Sequence, residues 1–214
     1  MTSPKEQLEA LSEIRSMMEK SSRFISLSGL SGIFAGLSAL IGAFLAYLRL
    51  DQYYSGTIYV KDFSRVLIAN EATIFDLMAI AIGVLIVALA FGVFFTTRNA
   101  KKKGQKIWDP LTQRLLINLL MPLGAGGIFC LILIKHGFIG LVAPATLIFY
   151  GIALINASKY TVRDIWYLGV SETLLGLIGC YLIGYGLVFW AIGFGLLHIV
   201  YGTVMYVKYE TKDL

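Results

Sequence analysis

The chain reads as an all-α, polytopic membrane protein with six transmembrane helices arranged as three antiparallel hairpins. Three observations predict this class. Hydrophobic residues fill 57% of the 214 positions, and the mean hydropathy is +0.76. Charged residues supply only 14%, well below the roughly 25% of a soluble domain. The apolar residues fall into six continuous runs: Phe24–Leu48, Ile74–Phe95, Leu115–Ile134, Phe138–Ile155, Ile165–Ile183 and Leu187–Val207. Each is near the ~20 residues a helix needs to cross the hydrocarbon core. Continuous runs, as opposed to alternating ones, exclude the strands of a membrane barrel.

Orientation follows from the lysines and arginines between the runs. With the N-terminus placed in the cytoplasm, the inner segments hold 14 of these residues and the outer segments 4. The inner set includes Arg98, Lys101, Lys102, Lys103 and Lys106; the outer set is Arg49, Lys61, Arg65 and Lys135. Cytoplasmic loops carry the excess of Lys and Arg, so both termini are expected inside, in the bacterial inner (cytoplasmic) membrane. The net charge of +5 is then membrane-surface charge, with anionic lipid as partner and no nucleic acid. Each basic residue near the surface contributes about 1 kcal/mol to that attraction.

Residues 1–23 predict an amphipathic surface helix on the cytoplasmic side. Ser3 suits the N-cap, Pro4 the first helical position, and Glu6 completes a capping box. Leu8, Leu11, Ile14 and Met18 share one face. A helix lying on the inner leaflet is favoured over a partner-binding or dimerising helix. The first span is too long for the apolar core of a signal peptide and is expected to be retained. Its Ser28, Gly32 and Gly36 recur every fourth residue, a row that lets two helix backbones approach closely. Packing within the monomer and a homo-oligomer face are both open for that row.

The external segment Arg49–Thr73 carries Tyr53, Tyr54, Tyr59 and Phe63, as expected of an interfacial aromatic belt. Span two is expected to continue as helix to Lys103 and to stop at Gly104. Asp109 and Pro110 supply the N-cap and first position of span three. Pro122 and Pro144 lie inside spans three and four, and each is expected to kink its helix. Lys135-His136-Gly137 makes the external turn that follows. An offset of 49 superposes spans three and four on five and six, matching Arg114 with Arg163, Gly137 with Gly186 and Lys159 with Lys208. Duplication and shared topology explain this equally well. Residues 208–214 form a cytoplasmic tail.

The stretches SRFISLSGLSGIFAGLSA (22–39) and APATLIFYGIALINASKY (143–160), with the lysine loop, resemble a family of small uncharacterised bacterial inner-membrane proteins. That resemblance covers nearly the whole chain and implies no activity. The three-hairpin arrangement is also similar, in topology and glycine placement alone, to the acid-resistance membrane proteins, which implies no site residues here.

Ionisable residues inside a span are costly and mark functional candidates. Asp76 and Asp164 fit capping boxes with Thr73 and Thr161 at the starts of spans two and five. Glu172 and His198 stand apart. The turn between spans five and six is Gly184-Tyr185-Gly186, and each of the two residues lies 13 positions from Tyr185. At ~1.5 Å per residue they share one membrane depth. Glu172 and His198 are therefore the candidate proton site, with Asn118, Asn156, Tyr150 and Tyr201 as polar extensions. A neutral polar contact that fixes helix packing is the simpler alternative. His136 is expected at the surface. Cys130 and Cys180 are expected as small apolar fillers, with no disulfide framework, metal site or cofactor.

No Ser/His dyad, HExxH, paired intramembrane aspartates or nucleotide loop occurs, so an enzyme is not expected. The favoured function is a non-enzymatic interaction or stress-response membrane protein. A small proton-linked transporter or channel using Glu172 and His198 is the alternative.

Overall fold

The computed structural model describes residues 28–55, 71–104 and 107–211. It is all-helical, with no strand among the described residues. The helices are α1 (Gly29–Ser55), α2 (Glu71–Lys102), α3 (Pro110–Lys135), α4 (Val142–Ala157), α5 (Asp164–Tyr181) and α6 (Gly186–Tyr209). Short 3₁₀ turns extend α4 on both sides, at Ile139–Leu141 and Ser158–Tyr160. Residues Ala191–Leu197 of α6 are wound as a π-helix. Among the described residues, α1 (over Gly29–Asp51), α2, α3, α6 and the extended α4 (Ile139–Tyr160) are long and apolar enough to cross a membrane. The 18-residue α5 carries Asp164 and Glu172 and is not among these five.

Most neighbouring helices run antiparallel. In the α1–α2 pair, Gly42 meets Val84, Phe34 stacks with Phe91 and Phe95, and Arg49 pairs with Asp76. In α3–α4, Gly126 lies against Phe149, and the Cys130 thiol faces the Val142 carbonyl at 3.9 Å. Helix α5 lies chiefly on α4 through Gly151, Gly169 and Gly176, while α6 lies chiefly on α1. Helices α4 and α6 run parallel, with Pro144 beside Gly186 and Tyr150 beside His198. A core of Leu154, Val162, Ile165, Leu168 and Met205 closes the α4–α5–α6 junction.

Small residues explain these close approaches. A Cβ on Gly29 would strike the Tyr206 and Gly202 backbone, and one on Gly36 would strike the Gly195 carbonyl and Ile199. The Ser28/Gly32/Gly36 row thus packs against α6 of the same chain, which answers the question left open by the sequence. Helices α2 and α3 sit at the two flanks, and the apolar window of α2 has no buried residue. Ile82, Leu85, Ile86, Leu89, Val93 and Phe94 are all exposed along it. So contiguous an apolar exterior suits lipid rather than water.

Helix ends agree with several expectations and correct others. Asp109 caps α3 by accepting from Thr112 N at 2.7 Å, with Pro110 following. Gly104 turns with φ +62 and stops α2. Gly137, at φ +80, ends α3 in a Schellman motif, with Phe138 N on Leu133 O and Gly137 N on Ile134 O. Pro144 stands in the first turn of α4, where its missing N–H would have no helical partner. It is packed between Gly179 and Gly186, so its expected role as a mid-helix interruption is corrected. Asp76 lies inside α2, and its carboxylate pairs with Arg49 in place of a capping box. Asp164 likewise reaches α6, accepting from Lys208 Nζ at 2.9 Å and Tyr209 Oη at 2.6 Å. The surface helix of residues 1–23, the aromatic loop around Tyr59 and Phe63, Lys106 and the end of the tail lie outside the described residues.

Candidate functional site, a buried Glu–His–Tyr centre

Glu172 occupies the middle of α5, on the face turned toward α4 and α6. It is 0% exposed. His198 comes from α6 just beyond the π-helical segment, at 7% exposure. Its Nδ1 is 3.3 Å from Glu172 Oε1, so the equal depths read from the sequence do bring the two residues together. The shorter contact of Nδ1 is the Gly193 carbonyl, at 3.0 Å. Tyr150 of α4 completes the centre, its Oη 2.8 Å from His198 Nε2.

Local sequence explains the arrangement. Gly193 presses on the carboxylate: a Cβ there would overlap Glu172 Oε2 and Leu147. Only a glycine leaves room for Glu172 between α4 and α6. The wide π-helical turn around Gly193 lets the imidazole, five residues on, reach back to its carbonyl. Single π turns inside α-helices concentrate at functional sites. Phe194 shields the ring, with centroids 5.8 Å apart, and Tyr150 stacks at 5.4 Å. Trp190 lies on Phe194 at 5.1 Å.

The hydrogen-bond inventory defines what the centre can do. The geometry fits an imidazole that donates from Nδ1 to Gly193 O and accepts the Tyr150 hydroxyl proton at Nε2. Both carboxylate oxygens of Glu172 are buried without a hydrogen-bond partner. Two states leave no net charge in this apolar core: a protonated Glu172 beside neutral imidazole, or a carboxylate beside imidazolium. They contain the same number of protons.

The other sequence candidates stand apart. Asn118 is partly exposed and donates to Arg114 O on its own helix at 2.8 Å. Asn156 lies six residues beyond Tyr150 on α4, and no hydrogen bond joins it to the centre among the described residues. Tyr201 packs against the apolar core. Gly193 and the π-helical turn were not legible in the sequence; the glycine spacing of Ala191-Ile-Gly-Phe-Gly195 was the available signal. His136 is exposed, as expected. Among the described residues no group of three or more His, Cys, Asp or Glu side chains is placed to hold a metal.

At the end of the bundle that holds the lysine loop, the partly buried Asp164 is opposed in ionising by its burial. The Tyr209 and Lys208 hydrogen bonds and the Lys208 charge outweigh this and hold its carboxyl below the ordinary range. Asp109 is likewise lowered, first by the Thr112 backbone hydrogen bond.

No family model, curated protein or solved structure matches the chain. The class that fold and site define is an all-helical protein, with five helices fit to cross a membrane and a polar centre enclosed in its core.

Proposed function

We propose that the chain is a non-enzymatic, six-span protein of the bacterial inner membrane, acting in interaction or stress response, and that Glu172, His198 and Tyr150 form its proton-responsive centre. Helix α5 completes the set of six spans; its neighbours bury Glu172, the one ionisable side chain in its interior. Both termini lie in the cytoplasm, in keeping with the 14-to-4 distribution of basic residues.

The observation that carries this reading is the Glu172 carboxyl: fully buried, without a hydrogen bond and 3.3 Å from an imidazole. A purely structural polar contact would satisfy its hydrogen bonds. A centre that keeps one proton for two titratable groups couples helix packing to pH, because loss of the proton destabilises the α4–α5–α6 contact. Histidine and carboxylate pairs suit this role near neutral pH.

Trp190 offers a direct test, since its ring packs at a tilt against Phe194, which stacks on His198. In a background with Trp108 and Trp166 replaced by Phe, its emission is expected to change between pH 5 and 8. The change should vanish in Glu172→Gln and in His198→Gln. Emission that is constant with pH in the parent protein would remove the basis for a responsive centre. Proton flux into liposomes, abolished by the same substitutions, would move the assignment to transport.

A further inference from the structure

Independently of the buried centre, we infer a phosphate-binding site for an anionic lipid headgroup in the cleft between α1, α2 and α6. The cleft encloses about 250 Å³. Arg98, Asn99, Lys102 and Lys103 of the α2 end line one side; Ser28, Tyr206 and Glu210 line the other. Leu30 and Phe95 supply its apolar lining.

The chemistry points to a phosphodiester with an attached hydrophobic tail. Arg98 and Lys102 are four residues apart on α2 and both line the cleft, so their side chains are neighbours on one helix face. Like charges at that spacing repel, and an anion between them removes the repulsion. Arg98 and Lys102 are both exposed and so open to a ligand. Lys103 donates from Nζ to the Tyr209 carbonyl at 3.3 Å, which fixes it at the C-terminus of α6. The Glu210 carboxylate is engaged elsewhere: it accepts from Gly29 N and Ser28 Oγ, and so serves the N-terminus of α1. Among the described residues, the lining holds three cations and one carboxylate, and that carboxylate is engaged.

The apolar lining distinguishes a lipid from a free phosphate. Phe95 belongs to the stacked Phe34–Phe91–Phe95 group that runs along α1 and α2. A headgroup seated among Arg98, Asn99 and Lys102 would run its glycerol and acyl chains along that surface. Basic pockets between membrane helices at the cytoplasmic side hold anionic headgroups in this way. The site differs from a diffuse polybasic attraction in naming its members: Lys101, although exposed and adjacent, does not line the cleft.

The experiment is thermal unfolding of the full chain in neutral micelles doped with phosphatidylglycerol or with phosphatidylcholine. Phosphatidylglycerol is expected to raise the unfolding temperature saturably, and phosphatidylcholine is not. The apparent affinity should fall at least ~10-fold in Arg98→Gln/Lys102→Gln, equivalent to about 1.4 kcal/mol, and stay within about 2-fold in Lys101→Gln. These positions are exposed, and far-UV circular dichroism will verify that each variant folds. Equal loss in both variants would overturn a discrete site in favour of surface charge. Stabilisation by soluble glycerol phosphate as strong as by the lipid would overturn the lipid assignment and leave a free-phosphate site. Neither result bears on Glu172.

Discussion

Replacing His198 with alanine should expose the coupling at the buried centre most clearly. The substitution leaves Glu172, at 0% exposure, without its imidazole neighbour, and leaves the Tyr150 hydroxyl without its 2.8 Å partner. Removing one member of a buried charged pair costs about 3–5 kcal/mol. An orphaned buried hydroxyl costs about 1–3 kcal/mol. The two overlap, so about 4–5 kcal/mol is expected near neutral pH, a large part of a total stability of ~5–15 kcal/mol. Glu172→Gln removes the titratable proton while keeping shape, and should change stability by no more than ~1 kcal/mol, the scale of one net hydrogen bond. In that background His198→Ala should cost at least ~1.5 kcal/mol less, within the range of measured pair couplings. Equilibrium unfolding in mixed micelles, followed by Trp190 fluorescence, measures the parent, the two single variants and the double variant. A His198→Ala cost that is the same in the parent and in the Glu172→Gln background would refute the idea that the two side chains share a proton.

Four further outcomes follow from the packing and the caps. Gly29→Ala should destabilise by about 1–3 kcal/mol or more, because the nearest atoms its Cβ meets are Tyr206 and Gly202 backbone, which cannot swing aside; unfolding of the purified variant checks it. Gly83→Ala, with open space around the new Cβ, should instead be neutral or stabilise by roughly 0.5–1 kcal/mol in the same assay. Asp109→Ala should cost about 1 kcal/mol through the lost Thr112 cap, visible as earlier exchange of the first α3 amides. Because the folded Asp164 carboxyl is held low, its contribution is present above the unfolded value near ~3.9. It is lost as pH falls through the folded value, and Asp164→Asn should flatten that acid limb of the stability curve by less than about 1 kcal/mol.

Much of the architecture was legible because five of the six apolar runs form helices long and apolar enough to cross a membrane. Gly104, Asp109-Pro110 and Gly137 marked their helix ends correctly, since each signal is local: a positive φ, a side-chain cap or a missing N–H. The depth of Glu172 and His198 was legible from the short turn at Gly184-Tyr185-Gly186, because rise per residue is fixed. Their rotation was not. It depends on Gly151, Gly169 and Gly176 letting α5 settle on α4, and on the π-helical widening at Gly193, which are tertiary choices. Asp76 and Asp164 misled for the same reason. Each sits three residues after a threonine, which imitates a cap, while the actual partners, Arg49 and Lys208 with Tyr209, are distant in sequence. The helical reach of α1 to Ser55 and of α2 to Lys102 also exceeds the apolar runs, because a helix does not end where hydrophobicity does.

The most direct measurement of the proton centre is infrared difference spectroscopy between pH 5 and 8 on the protein reconstituted in lipid. A carboxyl band that responds to pH, is absent in Glu172→Gln and is displaced in Tyr150→Phe through the imidazole is the expected result. An identical difference spectrum in wild type and Glu172→Gln would contradict a proton-binding role for Glu172.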